Sequence, residues 1–248
     1  MFHFIYNTFF YRPLYNALIF LTAIIPGHDL GLAVVLLTLL VKVLLVPISH
    51  KTMKTQRKLK ELEPAMSEVK ETYKNDKQEQ AVKIMDLYRE HNVNPFSGVL
   101  LMFIQLPIIL ALFFVFNSGI DLSSTDVYSF IVKPPLISHK LFGLMDLGQK
   151  SIFLSFLVGL TQFFQAKLSL PPTSPKNNKE GGDSFGDSLA KSMNFQIKFI
   201  LPIFIMFISY GMNTAVSIYW IVNNVFTIVH ELYVKRKAEK ILLGAENS

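Results

Sequence analysis

Residues 31–49 read GLAVVLLTLLVKVLLVPIS, a run that is apolar enough to cross a bilayer and carries one charge. A transmembrane helix needs roughly 20 mostly apolar residues. The charge is Lys42, and apolar residues continue after it almost to Ser49. A lysine at the middle of such a helix costs about 2.5–3.5 kcal/mol on insertion scales. Either its stem snorkels to the headgroups or it faces a water-filled cavity between helices, and the run alone leaves both interpretations open.

The whole chain has the composition of a multi-spanning membrane protein. It has 248 residues, of which 51% are hydrophobic, and its 22 phenylalanines lie mostly in long apolar runs. The absence of cysteine excludes disulfides and thiolate metal sites. No nucleotide-binding P-loop, H-E-x-x-H or G-x-S-x-G motif occurs, and no apolar run has an interior histidine or carboxylate. We therefore expect an all-α integral membrane protein that is not an enzyme and has no cofactor, metal site or catalytic residue.

The N-terminal residues 1–30 predict an amphipathic helix that lies in the extracytosolic membrane interface. Arg12, Pro13 and Asn16 interrupt the apolar pattern, and the uninterrupted run 17–25 is too short to span. A tilted extra span is the alternative. No small-residue cleavage site follows the start, so we expect no signal peptide. The expected interface anchors are aromatic: Phe9, Phe10, Tyr11 and Tyr15.

Five apolar runs predict five transmembrane helices, here called spans one to five. They cover residues 31–49, 96–116, 151–168, 195–212 and 213–234. The connections are a cytoplasmic helical hairpin at 50–95, an extracytosolic loop at 117–150 and a cytoplasmic linker at 169–194, with a basic cytoplasmic tail at 235–248. Lysine and arginine are concentrated in the hairpin, linker and tail. The positive-inside rule therefore predicts a cytoplasmic C-terminus and an N-terminus outside.

The hairpin is predicted from two apolar stripes with helical spacing, separated by a short polar turn. The turn is Lys74-Asn75-Asp76-Lys77, in which Asn75 or Asp76 is the expected helix cap. Two such helices joined by a short turn form an antiparallel pair. The alternative is a solvated, charged connection without a function of its own.

The predicted spans also contain uncharged polar side chains. An interhelical hydrogen bond is the commoner role of such side chains. The aromatic pair Tyr219 and Trp220 is also typical of helix packing or of an interface belt. Lipid exposure of both asparagines would be costly, so at least one is expected to face the bundle. These residues are Gln105, Gln162, Gln165, Tyr219, Trp220, Asn223 and Asn224.

Three segments, together with the lysine in span one, resemble the YidC/Oxa/Alb family of membrane-protein insertases. The most specific is VNPFSGVLLMFIQLPIILALF, with its N-P-x-x-G-x-x-x-x-x-I-Q-x-P pattern from Asn94 to Pro107. The others are LTQFFQAKL in span three and SIYWIVNNVFTIVHELYVKRK in span five. The resemblance covers roughly residues 4–235.

The resemblance implies a five-helix core with a hydrophilic groove that is open to the cytoplasm and to lipid but closed to the outside. The family's groove cation, usually arginine, falls on Lys42. Lysine keeps the charge but loses bidentate carboxylate pairing. Groove positions of the family also fall on Gln165 and Trp220. The full candidate substrate groove is Lys42, Gln105, Gln162, Gln165, Tyr219, Trp220, Asn223 and Asn224.

The implied function is a membrane-protein insertase and chaperone of the bacterial plasma membrane. Its implied partners are nascent membrane proteins, membrane lipids and, as candidates, the Sec translocon, the ribosome and the signal recognition particle pathway. No direct nucleic-acid binding is expected. The short tail argues against direct ribosome docking, and we expect neither the extra first span nor the large outer domain of many bacterial members. Two alternatives remain: a small transporter or channel with Lys42 as its anion site, and a structural assembly factor.

Overall fold

The computed structural model of the chain is mostly helical. It describes residues 2–94, 97–118, 120–124, 126–169, 192 and 194–246, so most of the predicted linker lies outside the described residues. The helices are α1 (Phe2–Tyr6), α2 (Arg12–Ile24), α3 (Leu30–Glu61), α4 (Glu63–Thr72), α5 (Lys77–Glu90), α6 (Ser97–Ser118), α7 (Ile152–Ser169), α8 (Leu201–Gly211) and α9 (Thr214–Glu246). Two π-helical turns, Asn7–Tyr11 and Gln196–Ile200, precede α2 and α8, and a 3₁₀ turn lies at Pro26–His28. The strands β1 (Lys140–Leu141) and β2 (Met145–Asp146) form a small antiparallel hairpin.

Among the described residues, two helical stretches are long and apolar enough to cross a membrane. They are Leu30–Leu59 and Ile152–Ser169, and shorter apolar stretches occur at Gln105–Phe116 and Gln196–Gly211. Their apolar side chains remain largely exposed on the outside of the bundle, as a lipid-facing surface requires. These features are those of an all-α membrane protein.

The first long helix does not end where span one is predicted to end. α3 continues through Pro47 to Glu61, so the start of the predicted hairpin belongs to the same helix. The break comes at Leu62, and Pro64 lies in the first turn of α4. Proline is favoured there because its missing N–H would have no partner in the helix.

The helices α4 and α5 are joined by a four-residue connection and contact each other. Asp76 caps α5: its Oδ1 accepts hydrogen bonds from the backbone N–H groups of Gln78 and Glu79, at 3.0 and 2.9 Å. Of the two cap candidates, the structure therefore selects Asp76. The Gln80 side chain donates to the Lys70 carbonyl at 2.8 Å and links the two helices.

The loop between α6 and α7, predicted to be extracytosolic, binds the N-terminal helix through polar side chains. Tyr15 OH donates to the carbonyl of Asp121 at 2.8 Å and accepts from its N–H at 2.9 Å. Asn16 donates to the Asp126 carbonyl at 2.7 Å and accepts from the Tyr128 N–H at 2.7 Å. Both side chains are buried. The expectation of Tyr15 as an interface anchor is therefore wrong, because its hydroxyl holds the loop.

The same loop covers the ends of α3 and α9. Asp29 accepts a hydrogen bond from Leu32 N–H in the first turn of α3 and another from the N–H of Phe142 in the loop. At α9 the Thr214 N–H donates to the carbonyl of Gln149 at 2.9 Å. Backbone donors at helix starts lack partners within the helix, so the loop satisfies them.

The core lies between α2, α3, α6 and α9. Its fully buried side chains include Leu18, Val34, Leu37, Val115 and Ile218. α9 packs along both α3 and α7, and α7 also packs on α8. This arrangement brings polar residues of α3, α7 and α9 to the inside of the bundle.

Candidate functional site

Lys42 lies on α3 and points towards α9. Its Nζ donates a hydrogen bond to the Thr227 hydroxyl at 3.2 Å. Thr227 in turn donates to the Asn223 carbonyl at 2.8 Å, one turn earlier in α9. The neighbouring Val43 and Leu44 are exposed on the outside of the helix. The ammonium group is thus turned to the bundle, whereas the adjacent apolar side chains face outward.

No carboxylate in the described part of the chain forms an ion pair with Lys42. A buried or half-buried charge without a counter-ion attracts anions more strongly than it would in bulk water, because the effective dielectric constant is lower. The site therefore has an uncompensated positive charge on an otherwise neutral polar surface.

Two asparagines of α9 continue the polar surface towards α7. The Asn224 side chain is fully buried and donates to the Thr161 hydroxyl at 3.2 Å. Asn223 donates to Asn224 Oδ1 at 3.4 Å, and its own Oδ1 is buried without a hydrogen-bond partner in the described structure. Both asparagines therefore face the bundle. An unpartnered buried amide oxygen is the kind of group that binds water or an incoming donor.

The polar surface links three helices. Trp220, Asn223 and Thr227 have the spacing i, i+3, i+7 and share one face of α9. Trp220 is half-buried and lies one turn from Asn224. Lys42 joins this face from α3, and Thr161 joins it from α7.

The two candidate glutamines of α7 differ in their relation to this surface. Gln165 lies one helical turn after Thr161, and its Oε1 is buried without a partner in the described part of the chain. Gln162 is half-buried on the same helix, and among the described residues no hydrogen bond joins it to Thr161 or to α9. The geometry groups Gln165 with the polar surface and does not bring Gln162 to it.

Gln105 and Tyr219 form a separate contact between α6 and α9. The Gln105 side-chain nitrogen donates to the Tyr219 hydroxyl, and Tyr219 is buried in the apolar core. Among the described residues, no hydrogen bond connects this pair with Lys42. Pro107, two residues after Gln105, lies inside α6 and leaves a backbone carbonyl without its usual helical donor.

Sequence reasoning missed Thr161 and Thr227, which make the contacts between helices. Both hydroxyls also donate to carbonyls of their own helix, Thr161 to Leu157 at 2.9 Å and Thr227 to Asn223 at 2.8 Å. A threonine that bonds its own helix looks unremarkable in sequence. Helical spacing could have indicated them, because Thr161 lies one turn before Gln165 and Thr227 lies one turn after Asn223.

Further polar contacts lie about one helical turn beyond Thr227 in α9. The Ser169 hydroxyl donates to the Glu231 carboxylate at 2.7 Å, and His50 stacks on His230 with ring centroids 6.0 Å apart. Among the described residues, no group of three or more His, Cys, Asp or Glu side chains is close enough to hold a metal ion.

Comparison with known proteins identifies the family. The family model described as "60Kd inner membrane protein" matches residues 20–241. A relative from Clostridium tetani named "Membrane protein insertase YidC" is 30% identical over 223 residues, which are 89% of this chain and 89% of the relative.

Two longer relatives carry the same name. The proteins of Francisella philomiragia and of Francisella tularensis subsp. novicida are each 31% identical over 208 residues, or 83% of this chain. The chain spans 32% of the length of each of these relatives. Since the family model and the Clostridium relative both cover most of the sequence, the chain belongs to the 60Kd inner membrane protein family, which is the YidC/Oxa/Alb family that its motifs resemble.

Proposed function

We propose that this protein inserts other membrane proteins into the bilayer. The relatives at about 30% identity are named as insertases, which supports this function over the transporter alternative. In this proposal the five predicted spans cross a bacterial inner membrane with the N-terminus outside and the C-terminus in the cytoplasm. The helices α4 and α5 form the cytoplasmic hairpin.

The observation that carries the mechanism is the direction of the Lys42 side chain. Its nitrogen contacts Thr227 within the bundle, and Asn223 and Gln165, whose side-chain oxygens are buried without a partner among the described residues, lie on helices that join the same polar surface. A polar segment of a substrate needs hydrogen-bond partners while it is inside the bilayer. We infer that this surface is the groove in which such a segment is held.

The charge gives the groove a preference for acidic segments. A negatively charged tail or loop enters from the cytoplasm and is attracted by Lys42, because the low-dielectric surroundings strengthen the interaction. The adjacent apolar helix of the substrate moves from water into lipid along spans two and four. That transfer releases about 0.8 kcal/mol per buried CH₂ group, so the step needs no bound nucleotide and no covalent chemistry.

Weak binding follows from the same arrangement. Lysine offers a point charge rather than the two parallel hydrogen bonds of an arginine. The remaining groups are neutral amides and hydroxyls, which contribute modest net free energies. A substrate is therefore held briefly and released sideways into the bilayer. Partners such as a Sec-type channel would act on substrate delivery and not on this step.

Site-specific crosslinking tests the groove. A photoreactive amino acid is placed at position 42, 165 or 220, and a stalled nascent chain with an acidic tail is supplied in membranes. We expect adducts from all three positions. Phe153, which is exposed near the outer end of α7, is the matched control and should give none. Equal adducts from the control, or none from the three positions, would contradict the groove.

A further inference from the structure

The turn of the β-hairpin presents large apolar side chains to its surroundings. Residues 142–144 connect β1 and β2, and the Leu144 N–H donates to the Leu141 carbonyl at 3.0 Å. Phe142 and Gly143 have positive φ angles of 51° and 73°, which fold the chain back tightly. Leu144 is 90% exposed and Phe142 is 67% exposed. The hairpin therefore holds both side chains away from the protein.

Other apolar side chains of the same loop are exposed in the same way. Each is exposed by 69% or more: Phe130, Val132 and Leu136. Exposed apolar side chains are costly in water, and contiguous patches of them mark interaction surfaces. The loop is thus poorly suited to complete immersion in water.

The position of the hairpin indicates what covers it. The Leu141 side chain contacts Gly31 so closely that an added Cβ at Gly31 would lie 2.7 Å from Leu141 Cβ. The Phe142 N–H donates to Asp29 Oδ2 at 2.6 Å. Residue 31 is the first residue of span one, so the turn lies where that span leaves the bilayer.

Basic side chains lie beside the apolar turn. Lys140 is exposed at the base of the hairpin, and Lys150 is exposed just before α7. The first residues of α7, Ile152 and Phe153, are again exposed and apolar. Lysines near an apolar surface reach the phosphates of lipid headgroups while their stems stay in the apolar zone. The combination of exposed apolar tips and flanking lysines matches a membrane surface.

We propose that the hairpin turn inserts into the bilayer leaflet on the loop's side, with Phe142 and Leu144 among the upper acyl chains and Lys140 at the headgroups. The turn then anchors the loop that covers the outer ends of α3 and α9. This inference rests on residues 31–49 being a span. It does not depend on the groove or on insertase activity.

The natural sequence suits a labelling test because it has no cysteine. The variant Leu144→Cys is labelled with an environment-sensitive fluorophore and reconstituted, without other proteins, into vesicles of zwitterionic and anionic phospholipid. We expect a blue-shifted emission and strong quenching by nitroxides attached high in the acyl chains. Ser123→Cys, exposed in the same loop, is the aqueous control, and Phe204→Cys, exposed on α8, is the lipid control.

A second measurement avoids substitution. The unmodified protein is reconstituted with a phospholipid that carries a photoreactive group near the top of its acyl chain, and labelled peptides are mapped. Adducts at residues 142–144 support insertion. The proposal is overturned if the probe at position 144 reports water in vesicles and the peptide carries no lipid adduct. The proposal is also overturned if the probe at position 144 is shielded from water only at high protein density and is not quenched by the nitroxide lipids. That result would mean that another protein molecule covers the turn.

Discussion

The Lys42 ammonium group donates a hydrogen bond to the Thr227 hydroxyl at 3.2 Å, so the charge of α3 is held against α9. The long carbon chain of a lysine in an apolar helix allows its ammonium group to snorkel outward to the headgroups. Here the ammonium group points inward instead and binds Thr227, on the face of α9 that also carries Trp220 and Asn223. The following predictions test what this contact does.

Removing the charge should reduce insertion of substrates with acidic tails. We expect Lys42→Ala to lose most of this activity and Lys42→Arg to keep it, because two opposite charges about 4 Å apart attract by about 4 kcal/mol at an effective dielectric constant near 20. The measurement is protease accessibility of a single-span test protein in a strain depleted of its own insertase. Several substrates, with and without acidic tails, are compared. Equal activity of the natural protein, Lys42→Ala and Lys42→Arg would show that the charge of Lys42 has no role in insertion.

Removing the acceptor should weaken insertion less than removing the charge. Thr227→Val keeps the side-chain shape but leaves Lys42 without its partner, and a hydrogen bond to a charged group contributes about 1.5–3 kcal/mol. The matched control is Thr38→Val, since Thr38 is buried on α3 and its hydroxyl donates only within its own helix. We expect a defect in the same insertion assay for Thr227→Val alone. Equal defects in both variants would mean that the contact with Lys42 has no specific role.

The bond between Asn224 and Thr161 should contribute to bundle stability. The variants Asn224→Ala and Thr161→Val, and the double variant, form a cycle that isolates their coupling. Interhelical hydrogen bonds within membranes contribute about 0.6 kcal/mol on average, so we expect a coupling of about that size. Thermal unfolding in detergent measures it. Additive losses in the double variant would show that the two side chains do not interact.

The close approach at Gly31 should tolerate no side chain. An added Cβ would lie 2.7 Å from Leu141 Cβ, and overpacking of this kind costs about 1–3 kcal/mol. Gly31→Ala should lower the melting temperature and loosen the loop, seen as faster proteolysis between residues 120 and 150. Gly211→Ala is the matched control, because no atom lies within 4 Å of its added Cβ. Unchanged melting in both variants would contradict the packing.

The loop should lose order in acid through Asp121. The Ser123 hydroxyl and then the Ser123 N–H donate to its carboxylate, and these bonds lower the pKa of Asp121. A carboxyl whose folded pKa lies below its unfolded value contributes stability above the unfolded pKa, and this is lost as the pH falls through the folded pKa. The effect is small because the group is exposed.

Proteolysis of the loop by an acid-active protease measures this pH dependence. Cleavage of the natural protein should rise as the pH falls through the folded pKa of Asp121. Ser123→Ala should shift the rise to higher pH, because it removes the strongest cause of the lowered pKa. Asp121→Asn should show no such rise in that interval. Identical profiles for the three proteins would exclude Asp121 as the titrating group.

Sequence reasoning identified the polar residues inside the apolar runs but not how they meet. Lys42, Gln165, Asn223 and Asn224 were selected because polar groups are rare and costly in such helices. Their partners Thr161 and Thr227 were not selected, because a threonine in a membrane helix usually bonds its own backbone.

Helix ends were also only partly predictable. Span one is predicted to end at residue 49, yet α3 continues through Pro47 to Glu61, since neighbouring groups can compensate the missing hydrogen bond. Tyr15 looked like an interface aromatic in sequence. Its burial depends on a loop more than 100 residues away, whose backbone it binds.

The sequence by itself determined the helical membrane character, the family and the rarity of a charge in the first span. These depend on local composition and on motifs that are read along the chain. That the ammonium group faces Thr227 and that Asn224 meets Thr161 is known only from the tertiary structure. Such contacts depend on the rotation and packing of whole helices, which hydrophobic runs without a polar face do not specify.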